Sequence, residues 1–236
     1  MEKNQYNLCL EVFRRLHAKG MLDGLVLIGS WCLLFYRDYF GPENYRAAIR
    51  TRDLDFLIPI PQRFSASVDL HDLLSDLGFV VNFKGEGGWI TFQHPDLILE
   101  FLTPLRGRGE SVPVPVPALG INAQSLRFLD LLAGDTIRVK FEKMPVRVPH
   151  PAAFALHKLI IAPRRKSEKT DRDREQAITV LHALVESGET LAIRQRFHKL
   201  PVSWQEPIRT ALTLAQENDL LSAIAGEQPV IPSHDN

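Results

Sequence analysis

The stretch RTRDLDFLIP, residues 50–59, decides the predicted fold, because it combines an apolar strand pattern with two carboxylates. Leu54 and Phe56 alternate with Asp53 and Asp55, and this period of two predicts a β-strand. Successive side chains of a strand point to opposite faces, so Asp53 and Asp55 share one face, about 7 Å apart along the strand. Two like charges at that distance in a partly buried sheet repel each other, so the pair favours a bound cation.

A later stretch, PDLILEFLTP at residues 95–104, offers a third carboxylate. Its alternation predicts a strand with Leu97, Leu99 and Phe101 on one face. Glu100 lies on the other face among apolar neighbours, which is an unusual position for a charge. Three carboxylates from neighbouring strands would form an oxygen-rich site suited to Mg²⁺.

Both motifs also have a purely structural explanation. Taken alone, Asp53 and Asp55 are more simply explained as solvated or turn-capping residues, with Arg50 and Arg52 as ion-pair partners. Glu100 taken alone is a still weaker metal-ligand signal, since an edge-strand Glu can reach water by its stem. The combination with the Gly-Ser motif is what favours the metal site. The metal-site hypothesis therefore requires that the three carboxylates lie together around an open cleft.

An apolar run ending in Gly-Ser precedes the aspartates. LVLIGS, residues 25–30, predicts a buried strand, and WCLLFYRDYF, residues 31–40, predicts a helix directly after it. Gly29 would let a phosphate approach the backbone, and Ser30 with the following N–H groups would lie at a helix N-terminus, which favours anions. Ser30 is also a good N-cap residue whatever the function, and the two roles are compatible.

The remaining pattern predicts an α+β fold, with a small mixed β-sheet core flanked by helices and a helical C-terminal subdomain. Residues 105–124 read as irregular, because prolines at alternate positions exclude a central strand. We predict a core domain over residues 1–150, a helical subdomain over 151–225 and a tail over 226–236.

Composition excludes several classes of protein. The 236 residues are 45% apolar and 24% charged, with a net charge of zero, so no overall field favours nucleic acid or membrane as a partner. Cys9 and Cys32 are too few for a disulfide scaffold and lack zinc-site spacing. The N-terminal stretch has no apolar core of signal-peptide length and no run is long enough to span a membrane, which predicts a cytoplasmic protein.

Together, LIGSWCLLFY, TRDLDFLIP and LILEFL resemble the signature of the nucleotidyltransferase superfamily, the polymerase-beta-like fold. That signature is an apolar strand, Gly-Ser or Gly-Gly, Asp-x-Asp or Asp-x-Glu, and a third carboxylate. The chain most resembles bacterial minimal nucleotidyltransferases related to abortive-infection toxins. HPAAFALHKLIIAPRR, residues 150–165, followed by a Lys/Asp-rich segment, resembles the same group, so the similarity covers roughly residues 20–185.

The resemblance implies a role for each matching residue. Gly29 and Ser30 would hold the nucleotide phosphates, and Asp53 and Asp55 would bind Mg²⁺, with two ions expected. Glu100 would be the third carboxylate and would help to deprotonate the acceptor hydroxyl. The chain departs from the family at two points: the longer gap before Asp53 predicts an insertion at residues 40–50, and Glu100 stands where many members have Asp.

The helical third contains two further candidates. Lys158 would contact nucleotide phosphate by analogy with the family, and a surface lysine is the alternative. Asp173 matches a family Asp, which adds it to the nucleotide-binding set. The segment 164–174 carries six basic and three acidic residues, which fits binding of triphosphate or RNA and equally a mobile, solvated loop.

These observations predict a Mg²⁺-dependent nucleotidyltransferase that moves a nucleoside monophosphate from an NTP to an acceptor hydroxyl. The acceptor would be RNA, a protein or a small molecule. A toxin–antitoxin role, with an antitoxin partner, rests on the family analogy alone. The alternatives are a non-catalytic module that binds a nucleotide or protein on the same fold, and an antibiotic-modifying nucleotidyltransferase.

Overall fold

The structure is a computed structural model that describes residues 3–41, 45, 51–85, 88–109, 111–165 and 167–226. The chain divides into two compact units between His150 and Pro151. We call them the N-terminal unit and the C-terminal unit and describe each by itself. Most of the insertion predicted at residues 40–50 lies outside the described residues.

The N-terminal unit is built on a mixed sheet, which confirms the predicted α+β class. The described strands of this sheet are β1 Val26–Ile28, β2 Asp53–Leu57, β3 Val80–Lys84, β4 Trp89–Gln93, β5 Ile98–Pro104, β6 Pro113–Val116 and β7 Ile121–Leu126. The strand order is β1-β2-β5-β4-β3, and β7 joins β5 and carries β6. β5 is parallel to β2 and β7, and the other pairs are antiparallel.

Helices and a hairpin complete this unit. The helices are α1 Lys3–Ala18, α2 Cys32–Phe40, α3 Leu70–Leu74 and α4 Leu129–Gly134, and the hairpin strands are β8 Thr136–Phe141 and β9 Met144–Pro149. The C-terminal unit is helical, with α5 Pro151–Ile161, α6 Ser167–Glu186, α7 Thr190–Lys199, α8 Val202–Leu214 and α9 Asn218–Ala225. Among the described residues, no helix has both the length and the apolar character that crossing a membrane requires.

The two faces of β2 have different environments. Leu54 and Phe56 are buried, and the Phe56 ring lies 5.5 Å from the ring of Phe13 on α1. A fully buried side chain of this size stabilises the fold by about 1.5–3 kcal/mol. On the opposite face, Leu57 joins an apolar cluster that includes Leu129 of α4. Asp53 and Asp55 lie on that same face, beyond the cluster, because side chains alternate along the strand.

Two expectations from the sequence are corrected here. Residues 105–124 are not all irregular, because they include β6 and part of β7, which pairs with the central strand β5. The prolines are tolerated because β6 is an edge strand: the Pro115 carbonyl accepts a hydrogen bond from Gln62 Nε2 at 3.1 Å, so its backbone faces away from β7.

The second correction concerns the charged segment 164–174. Residues from Ser167 onward form the first turns of α6. The interpretation as a mobile loop is therefore wrong for that part of the segment.

Candidate active site

The register of two parallel strands brings the three predicted carboxylates onto one face. β2 and β5 pair so that Asp55 lies directly beside Glu100 and Asp53 beside Ile98. Neighbouring strands lie about 4.8 Å apart, and paired residues of adjacent strands point to the same side. All three carboxylate residues are half-buried. The register therefore places Glu100 on the face of the two aspartates, and the metal site itself stays a prediction.

Gly29 fits against the Asp55 carboxylate. The backbone of Gly29 has φ +74°, a conformation that favours glycine. A Cβ atom at this position would lie 2.3 Å from Asp55 Oδ2, well inside contact distance. Gly29 follows directly on Ile28, which pairs with Asp55. The backbone conformation therefore favours glycine, and any other residue here would also force the Asp55 carboxylate to move from its place.

Ser30 lies in a short 3₁₀ turn, Gly29–Trp31, that leads directly into α2. The N-cap residue of α2 is Trp31, so the interpretation of Ser30 as the cap of this helix is wrong. The turn places Ser30 one residue after the glycine that contacts Asp55. The predicted phosphate-binding pair is thus next to the aspartates, and its contact with a nucleotide stays a prediction.

Lys84 pairs with Glu100, a contact that the sequence analysis missed. Its Nζ lies 3.1 Å from Glu100 Oε1, with side-chain exposures of 37% for Lys84 and 27% for Glu100. Lys84 is on β3 and Glu100 on β5, and β4 lies between these strands. Thr91 of β4 is paired with Glu100 on one side and with Asn82 of β3 on the other. Lys84 is two residues from Asn82 and therefore shares its face. The alternation in FVVNFK was the available signal, and it would have placed Lys84 on the face of Glu100 only once the strand order was known.

Lys158 and Asp173 form a buried ion pair within the C-terminal unit. Lys158 Nζ donates to Asp173 Oδ1, and the two side chains are 7% and 4% exposed. Arg165 Nε lies 3.3 Å from Asp173 Oδ2. The interpretation of Lys158 as a surface lysine is therefore wrong. The predicted contact of both residues with nucleotide phosphate stays a prediction.

His157 lies beside this pair. The pKa of its imidazole is lowered to about 3, first by burial and then by the charges of Lys158 and Arg165. No described residue forms a hydrogen bond with its Nε2. His157 is therefore a neutral packing residue at ordinary pH.

A second acidic group lies outside the sheet. Asp69, His71 and Asp72 are exposed, and one potential ligand atom from each lies within 4.8 Å of the others. Asp69 is the N-cap of α3, accepting hydrogen bonds from the backbone N–H groups of His71 at 2.8 Å and Asp72 at 3.3 Å. Helix capping accounts for the position of Asp69.

Comparison with known proteins identifies the class. The family model described as nucleotidyltransferase matches residues 7–202. The chain belongs to the nucleotidyltransferase family, as the Gly-Ser, Asp-x-Asp and Glu100 motifs predicted, and it is an enzyme of that class. Members of this class typically use a divalent metal. No curated protein sequence matches the chain significantly.

A comparison with solved structures finds two that resemble the chain at low sequence identity. The antibiotic-resistance factor ANT(2″)-Ia, in its solution structure, is 13% identical, with 96% of this chain and 92% of that chain covered and a TM-score of 0.43. An antigenic nucleotidyltransferase-like protein from Paracoccidioides brasiliensis is 14% identical, with coverages of 95% and 94% and a TM-score of 0.46. The family assignment rests on the sequence match over residues 7–202.

Proposed function

We propose that the enzyme transfers a nucleoside monophosphate from an NTP to an acceptor hydroxyl, with Mg²⁺ held by Asp53, Asp55 and Glu100. The observation that carries this proposal is the register of β2 and β5, in which Asp55 and Glu100 are direct neighbours. A structural role alone would not require three carboxylates on one partly buried face, where like charges repel each other.

The residues present fit a divalent metal. Carboxylate oxygens are the hard ligands that Mg²⁺ takes in proteins. The close approach of Asp55 to the Gly29 backbone also supports a shaped site, because any side chain at Gly29 would occupy the place of the carboxylate. Bound Mg²⁺, with two ions expected, would supply charge stabilisation for the attacking and leaving oxygens.

The chain's own residues would do the remaining work. The backbone N–H groups of the turn at Gly29 and Ser30 would bind the triphosphate. The acceptor oxygen would attack the α-phosphorus as the bond to pyrophosphate breaks, and the acceptor proton would pass to Glu100. The roles of Lys158 and Asp173 in nucleotide binding remain proposals from the family resemblance.

The acceptor is the open part of this proposal. RNA, protein and small-molecule acceptors, an antibiotic among them, are all compatible with the three carboxylates. Incubating the enzyme with each labelled NTP, Mg²⁺ and either total RNA, total protein or an aminoglycoside identifies the fraction that gains label. Regulation by an antitoxin is a separate proposal, tested by co-expression with its neighbouring gene product.

Asp55→Asn tests the catalytic assignment. This variant should lose label transfer and the thermal stabilisation by NTP that depends on Mg²⁺, because one ligand of the metal is gone. Asp219→Asn is the matched control, since Asp219 is an exposed aspartate in the first turn of α9. Failure of every NTP to stabilise the wild type in the presence of Mg²⁺ would instead favour a non-catalytic binding module.

A further inference from the structure

A cavity lies in the N-terminal unit, at the end of β2 opposite to the aspartates. Its volume is about 240 Å³, and its lining includes Pro59, Pro61, Arg63, Ala133 and Arg147. Pro59 is four positions after Asp55, which is roughly 13 Å along an extended strand. The apolar cluster that includes Leu57 and Leu129 lies between. The cavity is thus distinct from the candidate active site.

Arg147, which lines the cavity, lies opposite a second arginine, Arg138, which is exposed and outside the lining. Arg138 of β8 and Arg147 of β9 are directly paired across the hairpin. Like charges at directly opposite positions of an antiparallel pair destabilise the sheet. A hairpin whose only role was structural would gain stability from a neutral residue at either position. We therefore expect the pairing of Arg138 with Arg147 to serve a role other than the stability of the hairpin.

Arg63 adds a third positive charge. Burial is the first cause that lowers the pKa of the Arg147 guanidinium, and the charges of Arg138 and Arg63 lower it further. Asp23 acts in the opposite direction and is the acidic residue of the cavity lining. The cavity lining thus carries two guanidinium groups and one carboxylate, and the guanidinium of Arg138 lies next to that of Arg147.

The three guanidinium groups form few hydrogen bonds with described residues. Arg147 Nη1 donates to the backbone carbonyl of Asp23 at 3.1 Å. Within the described part of the chain, neither Arg63 nor Arg138 forms an ion pair or a side-chain hydrogen bond. Their donors are therefore available to a ligand.

Size and charge define the class of ligand. The cavity volume of about 240 Å³ lies just below the range of about 300–1,000 Å³ found for sites of drug-sized ligands. A ligand of one or two phosphate groups is smaller than a drug-sized ligand and fits such a volume. The planar fork of a guanidinium matches the oxygens of a phosphate.

We propose that Arg63, Arg138 and Arg147 form a binding site for a phosphate group, separate from the three carboxylates. The ligand is a small phosphoryl anion, supplied either as free phosphate or pyrophosphate or as the phosphate of a nucleoside monophosphate. This proposal does not depend on the reaction proposed above.

Isothermal titration calorimetry with phosphate, pyrophosphate and AMP tests the site. The titrations use the full chain in buffer containing EDTA, so that no metal-dependent binding at the carboxylates contributes. Arg63→Gln and Arg138→Gln should each weaken binding by at least about tenfold, the change expected when a charge-assisted hydrogen bond is lost. Arg108→Gln, which removes an exposed arginine outside the cavity lining, should leave the affinity unchanged.

Arg138→Gln has a second readout that separates binding from structure. Removing one of two opposed charges should raise the Tm of the ligand-free protein while it lowers the affinity for the anion. A residue with only a structural role would not move the two quantities in these opposite directions.

Each outcome of these titrations either supports the proposed site or overturns it. Binding of phosphate or pyrophosphate that Arg63→Gln and Arg138→Gln weaken supports the site with a free anion as its source. Binding of AMP alone, weakened by the same variants, supports it with a nucleotide as the source. No saturable binding of any of the three, or binding that Arg108→Gln weakens equally, overturns the proposal.

Discussion

Replacing Gly29 with alanine tests whether this residue exists to let the Asp55 carboxylate approach. The added Cβ would lie 2.3 Å from Asp55 Oδ2, and ordinary contact begins at 3.4 Å, so the carboxylate must retreat by 3.4 − 2.3 = 1.1 Å. The positive φ of Gly29 adds a backbone cost of about 1–2 kcal/mol for a residue with a Cβ. A displacement of about 1 Å at a reacting centre lowers the rate by about 100-fold.

Gly188→Ala is the matched control. Gly188 has φ +78°, and an added Cβ would meet no atom within 4 Å. Both variants should lose about 1–2 kcal/mol of unfolding free energy, measured by urea denaturation. Only Gly29→Ala should also lose label transfer from NTP, by about 100-fold. Transfer by Gly29→Ala at the rate of Gly188→Ala would refute the reasoning.

Three further predictions follow from individual contacts. Lys84→Met should tighten Mn²⁺ binding about fivefold, as measured by calorimetry. The reason is that the half-exposed ion pair of Lys84 with Glu100 competes with the metal and contributes up to about 1 kcal/mol. Lys140→Met, at an exposed lysine, is the control, and a Lys84→Met affinity equal to that of the control would contradict the prediction. His157 has a folded-state pKa of about 3, below its unfolded value of 6.5, so only the unfolded state takes up a proton between these values. The unfolding free energy should therefore fall by up to about 1.4 kcal/mol per pH unit as the pH drops below 6.5, and His157→Gln should flatten this slope. Lys158→Met should destabilise by about 3–5 kcal/mol, since it leaves the Asp173 carboxylate buried beside Arg165 alone, and the double variant with Asp173→Leu should recover much of that loss in urea denaturation.

Local pattern predicted most of the secondary structure. The alternation in DLDFL and LILEF was sufficient to predict β2 and β5, because period-two patterns with one buried face have few alternatives. β6 was missed because prolines at alternate positions argue against a strand, although an edge strand tolerates them when their backbone faces outward. β7 contains no proline and was missed because the start of its sequence was grouped with that proline-rich segment. That orientation depends on which strand lies next to β6, which no local pattern encodes.

The candidate site was likewise predictable from local pattern only in part. The side of β2 and β5 that carries Asp53, Asp55 and Glu100 was predictable from alternation alone. The pairing of Asp55 with Glu100 required the parallel register of strands that lie more than forty residues apart in the chain. Lys84 was missed for the same reason, because its contact with Glu100 depends on the order of three strands. Long-range pairings of this kind set the electrostatics of the site.

The alternation along β2 also protects the fold against misassembly. A shift of one residue in its pairing would turn Asp53 and Asp55 into the core beside Phe13 and expose Leu54 and Phe56 instead. Burying an unpaired carboxylate costs several kcal/mol, and losing two buried apolar side chains adds a comparable amount. Asp53 and Asp55, which we propose to bind the metal, therefore also disfavour incorrect pairing registers of β2. An insertion or deletion of one residue beside β2 should thus prevent folding, and not only lower the catalytic rate.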